Sequence, residues 1–140
     1  MRNFIQTTFK TSDGLKLGYL RAGNGLPVIV LHALFGSGTC FELQAQILQE
    51  RYDVIVLDQR FHGESEKVPF GLQVARLSKD LFELVTALNL KRVSLLGHSM
   101  GAAVIYRMTD WSLGPNPTMF ARDASFRSFM PHFLLHFLIP

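Results

Sequence analysis

Gly97-His98-Ser99-Met100-Gly101 is the stretch whose residue types and spacing could do chemistry. A serine sits between two glycines, after the buried-looking run Val93-Ser94-Leu95-Leu96 and before the small, then apolar residues Gly101 to Met108. That context describes a strand, a sharp turn and a helix. The glycines permit a tight, strained turn that lifts a serine hydroxyl above the sheet edge, and the start of the helix supplies backbone N–H groups able to stabilise an oxyanion. Ser99 would then attack an acyl carbon. The bland alternative is a glycine-rich strand-to-helix turn with an ordinary serine, and the flanking strand and helix speak against it.

The elements that must position such a serine can be read along the chain. Residues Phe4 to Phe9 and Leu15 to Leu20 are predicted to form a hairpin around the turn Ser12-Asp13-Gly14. The runs Val28-Ile29-Val30-Leu31, Val54-Ile55-Val56-Leu57 and Val93-Ser94-Leu95-Leu96 are nearly continuous and rich in β-branched residues, as in strands covered on both faces. Between the first two, Phe41 to Glu50 places Leu43, Ile47 and Leu48 at helical spacing opposite Gln44, Gln46 and Gln49. Between the second and third, Val74, Leu77, Leu81, Leu84, Val85 and Leu88 recur at steps of three and four, and that helix should end near Asn89. Alternating strands and helices predict an α/β fold, a mostly parallel sheet with an antiparallel hairpin at its start, and a ligand site at the carboxyl ends of the strands.

Three separated stretches then carry a family resemblance: Leu31-His32-Ala33-Leu34-Phe35-Gly36-Ser37, Asp58-Gln59-Arg60-Phe61-His62-Gly63-Glu64-Ser65, and the Gly97 to Gly101 turn itself. In order and spacing they resemble the α/β-hydrolase family from about Phe4 to Met108: its His-Gly oxyanion loop, its Asp-x-Arg-Gly-His-Gly-x-Ser loop and its nucleophile elbow. The resemblance implies a serine hydrolase acting on an ester, thioester or amide through an acyl-enzyme at Ser99. The N–H groups of Leu34 and Met100 would be the oxyanion donors. By the same resemblance Asp58, His32 and His62 belong to the loops around the site, the two histidines ordering them, and His98 packs beside the elbow. Serine at the elbow disfavours the aspartate-nucleophile chemistry of the family's dehalogenases and epoxide hydrolases. The small-molecule acyl substrate needs no metal and no organic cofactor. Ala33 and Phe61 stand where the family usually has glycine, each adding a Cβ at a tight turn. The Leu-Phe-Gly-Ser run is similar to the esterase-like subgroup.

The family's acid and base follow the serine in chain order. Here Asp110, Asp123, His132 and His136 are the acids and histidines that come after Ser99, and none of them follows a buried strand. Residues 1–108 therefore read as the N-terminal part of a hydrolase domain, and 109–140 as a tail without the family's pattern, so the sheet is expected to be incomplete. Its last strand would present an unpaired edge, which Phe126 to Ile139 could partly cover and which otherwise invites self-association. Two alternatives to an active enzyme follow: a hydrolase fragment without its triad partners, or a binding protein that holds a small hydrophobic ligand in the fold's cleft.

Composition sets the remaining bounds. The 140 residues are 48% hydrophobic and 18% charged, enough for one globular domain. The net charge of +3 comes from scattered residues, with no nucleic-acid or membrane footprint. The tail is too short and too interrupted to span a bilayer. Cys40 is the one cysteine, expected as a partly buried structural thiol, and with no signal-peptide pattern in Met1 to Lys10 the expected compartment is the cytoplasm. Gly36-Ser37-Gly38 followed by Asp58 imitates a dinucleotide fingerprint, but the third glycine position holds Phe41.

Overall fold

The computed structural model describes residues 3–112 and 132–138. Its centre is a parallel trio, β3 (Leu26–Leu31), β4 (Tyr52–Leu57) and β5 (Arg92–His98), with β3 in the middle. Alternation along these strands loads both faces. Ile29, Leu31, Ile55, Leu57 and Leu95 pack on one side with Leu77, Leu81 and Leu84 of α2 (Val74–Ala87) and Val104 and Ile105 of α3 (Met100–Ser112). On the other side, Val28, Val30, Val54 and Val56 pack with Ala45 of α1 (Glu42–Leu48) and with Phe41 just before it. Each fully buried aliphatic side chain contributes roughly 1.5–3 kcal/mol, so this three-layer packing is the main source of stability.

Antiparallel strands flank the trio. The predicted hairpin is β1 (Ile5–Lys10) and β2 (Lys16–Ala22), and β2 runs antiparallel to β4. On the far side β6 (His132–Leu138) pairs antiparallel with β5, with Cα partners from His98 and His132 to Arg92 and Leu138. The six strands follow the order β1-β2-β4-β3-β5-β6. The edge of β5 expected to be bare is thus occupied by a strand of the tail, and α3 continues through Ser112, beyond the predicted end at Met108.

Two helices show how sequence and packing interact. In α2 the predicted stripe is the buried one, and the helix closes where expected: Asn89 adopts a left-handed φ of 52° and its N–H bonds the Thr86 carbonyl, while the Leu90 N–H reaches Val85. This pair of bonds is the Schellman ending, which asparagine supports at little cost. In α1 only Leu48 of the expected apolar face packs against the core. Leu43 and Ile47 are 73% and 70% exposed, and the buried positions are Phe41 and Ala45. The segment carries two overlapping apolar stripes, and packing against Val54 and Val56 selects the one holding the aromatic ring. Cys40, beside it, is exposed rather than partly buried.

Candidate active site at the carboxyl ends of the strands

Ser99 lies between the end of β5 and the start of α3, exposed, with φ at 52°. Its carbonyl accepts the N–H groups of Ala102 at 3.0 Å and Ala103 at 3.1 Å, so it closes the first turn of the helix. A left-handed conformation costs a residue with a Cβ roughly 1–2 kcal/mol. The surroundings enforce it. A Cβ on Gly97 would meet the Gly101 backbone carbon at 2.6 Å, and one on Gly101 would meet the Leu31 carbonyl oxygen at 2.5 Å, so helix and strands approach closer than any side chain allows. A Ser99→Gly variant should therefore gain about 1 kcal/mol in urea unfolding while losing every reaction of the hydroxyl. A loss of stability instead would mean that the hydroxyl itself holds the turn.

Met100 is the first helical residue, so its N–H lies beyond the reach of any carbonyl of its own helix. In the loop after β3 the Ala33 carbonyl accepts the Gly36 N–H at 3.0 Å, and the Leu34 N–H takes no partner among the described residues. Leu34 and Met100 line the same cavity, about 400 Å³ in volume. Ala33 itself avoids the left-handed region. The strain expected from a non-glycine residue is found at Phe61, with φ at 72°, while in the Ala33 loop it falls instead on Phe35, at 62°.

The motif's polar residues hold this loop to the one after β4. Asp58 accepts the Gly38 N–H at 2.7 Å with one carboxylate oxygen and the Glu64 N–H at 2.9 Å with the other. It clamps two loops with both oxygens used, which removes the ribose-binding role that a dinucleotide site would require of it. His62 places Nδ1 2.9 Å from the Arg60 carbonyl, and Nε2 accepts the Phe35 N–H at 3.3 Å. His32, fully buried, places Nδ1 2.8 Å from the Ala33 carbonyl, and Nε2 accepts the Gln59 N–H at 3.0 Å. Burial holds the His32 pKa below its ordinary value, against the opposing bond to Ala33. Both ring nitrogens of each histidine are engaged, and their rings lie 4.9 Å apart. His98 is half-buried at the end of β5. On β6, His132 pairs with His98 and His136 with Ser94 through the backbone. Asp110 belongs to α3, and Asp123 lies outside the described residues. Among the described residues no cluster of three potential metal ligands occurs.

Sequence reasoning missed Arg60. Its side chain is fully buried, donating to both carboxylate oxygens of Asp80 at 2.9 Å, with Nη1 2.9 Å from Asp13. Arg76 joins the same two carboxylates. This network ties the loop after β4 to α2 and to the hairpin turn. One signal was available: Asp80 interrupts the apolar stripe of α2 beside Leu77, Leu81 and Leu84.

Residues 27–110 match the model of the alpha/beta hydrolase fold family, and the chain belongs to that family. Among curated proteins, it is 37% identical over 102 residues to an sn-1-specific diacylglycerol lipase of Danio rerio, a match covering 71% of this chain and 30% of that protein. It is 34% identical over 98 residues to a non-heme chloroperoxidase of Kitasatospora aureofaciens, covering 69% and 36%. An esterase structure from Exiguobacterium antarcticum superposes with a TM-score of 0.73 at 31% identity, covering 75% of this chain and 40% of that one. The chain thus spans about a third of the length of the curated relatives it matches. Among the described residues no helix is long and apolar enough to cross a membrane.

Proposed function

We propose that this chain carries the nucleophile half of a serine hydrolase for small acyl substrates, in which Ser99 attacks an ester, thioester or amide carbonyl. The observation that carries this reading is an exposed serine held at left-handed φ, next to Met100, which lines one cavity with Leu34. Bond formation from Oγ to the carbonyl carbon places negative charge on the carbonyl oxygen, where the Met100 and Leu34 N–H groups would receive it. A base takes the serine proton and passes it to the leaving group, and water then cleaves the acyl-enzyme. His32 and His62 are committed to the loops, so the base is a different group. Chloroperoxidase and lipase names among the relatives leave the substrate open, and serine at the elbow favours acyl transfer. A lone cysteine fits a reducing compartment such as the cytoplasm.

The second reading, an elbow without its proton-transfer machinery, is favoured by one observation: both loop histidines are spent in holding the loops. A fluorophosphonate probe on the purified chain separates the two. Rapid labelling that vanishes in Ser99→Ala is expected for an activated serine. A folded sample that resists the probe sinks the hydrolase reading and leaves a ligand-binding fragment.

A further inference from the structure

The cavity beside the elbow has an uneven wall. Leu34, Phe35, Phe61, Leu72, Leu77 and Met100 supply its apolar lining. The cation on that wall is Arg60, whose charge is balanced by Asp80 and Asp13, although its Nη1 finds no hydrogen-bond partner among the described residues. Phe35 is 92% exposed and Phe61 44% exposed, and both hold left-handed backbone conformations that phenylalanine rarely adopts. Strain kept at large exposed side chains around a cavity points to a use for those side chains. Packing does not account for it, since a ring so exposed adds little to the core.

We propose that this cavity binds an uncharged aliphatic chain of the substrate and that Phe61, with Phe35, sets the chain length it admits. The left-handed turns carry the two rings to the cavity wall from the loops after β3 and β4, which Asp58 and His62 hold together. At about 400 Å³ the space lies near the lower end of small-ligand pockets, which run from roughly 300 to 1,000 Å³. A chain of middling length fills it. The assignment rests on Ser99 as the site of attack, because the adjacent Met100 lines the same space.

The test is calorimetric titration of the Ser99→Ala chain with butanone, hexanone, octanone and decanone, and with octanoate. These ketones present a carbonyl and a tail but cannot be hydrolysed. Affinity should rise about fourfold for each added methylene and then level off, and octanoate should bind more weakly than octanone because its carboxylate must leave water. Phe61→Gly and Phe61→Asn, both compatible with a left-handed backbone, should lower octanone affinity by roughly tenfold and remove the levelling off. Phe82→Ala, on α2 but outside the cavity lining, should leave the series unchanged. Equal affinity along the ketones, tighter binding of octanoate, or indifference to both Phe61 variants overturns the proposal. Length-dependent binding by a chain that resists the fluorophosphonate keeps the pocket and discards the hydrolase, whereas labelling without length dependence discards the pocket alone.

Discussion

Replacing Gly101 by alanine should lower stability by about 3 kcal/mol or more and abolish any labelling at Ser99. The added methyl would sit 2.5 Å from the Leu31 carbonyl oxygen and 2.8 Å from that of His32. Both neighbours are backbone atoms at the end of the central strand, so no rotamer change relieves the overlap, and α3 must shift away from β3. That shift moves the Met100 N–H relative to Leu34, and with it the arrangement proposed to receive an oxyanion. Urea unfolding followed by circular dichroism measures the first effect, and the fluorophosphonate probe the second. A variant as stable as its parent would show that the helix can retreat freely, and the close approach would then not be what forces Ser99 into its strained turn. Ser99→Gly makes the complementary change: it removes the strain and keeps the approach, so the two variants should move stability in opposite directions.

The parts of this site that were legible in the sequence share a physical cause. Strand runs such as Val54-Ile55-Val56-Leu57 are apolar throughout because both faces are covered, and the α2 stripe repeats at helical spacing because one face is. Glycines at 97 and 101 mark an approach too close for a Cβ. What stayed hidden depends on which neighbour arrives. The stripe of Leu43 and Ile47 was as plausible a buried face of α1 as that of Phe41 and Ala45, until Val54 and Val56 chose. His132–Leu138 pairs with β5 although the run holds no β-branched residue. Phe35 has no local motif for a left-handed backbone, and at Phe61 the signal lay only in the resemblance, whose loop usually holds glycine there. Their conformation comes from the loops being held together, through Asp58 on Gly38 and Glu64 and through His62 on the Phe35 N–H. The elbow was readable because its strain is written in glycines, whereas these two turns carry theirs in phenylalanine.

The second large effect lies away from the serine. Asp80→Ala should destabilise the chain by about 3–5 kcal/mol, because it strands the buried Arg60 guanidinium without the carboxylate that accepts from Nε and Nη2. Asp13 and Arg76 remain near, but Asp13 is partly exposed and is shared with Arg76, whose other carboxylate partner, Glu83, lies at 3.4 Å. Arg60→Met combined with Asp80→Leu removes both charges and should recover most of the loss, which separates an orphaned cation from a simple cavity. The same network sets the response to acid. The Asp13 carboxyl is held well below the usual range chiefly by the Arg60 hydrogen bond, which outweighs the cost of burial. For Glu83, burial pushes upward but is overcome by hydrogen bonds from Ser12 and the nearby Arg76 and Lys79 charges. Both groups bind protons more readily in the unfolded chain, so their contribution is fully present above about pH 4.5 and is lost as pH falls through their folded values. The parent should begin to lose stability below about pH 4, and Arg60→Met with Asp80→Leu should lose less over that interval, since Asp13 no longer has Arg60 to hold its proton off. Urea midpoints measured from neutral pH into the acid range report both effects. An Asp80→Ala midpoint equivalent to within about 0.5 kcal/mol of the parent would show that Arg60 finds other partners or water, and that the network does not fix the loop carrying Phe61.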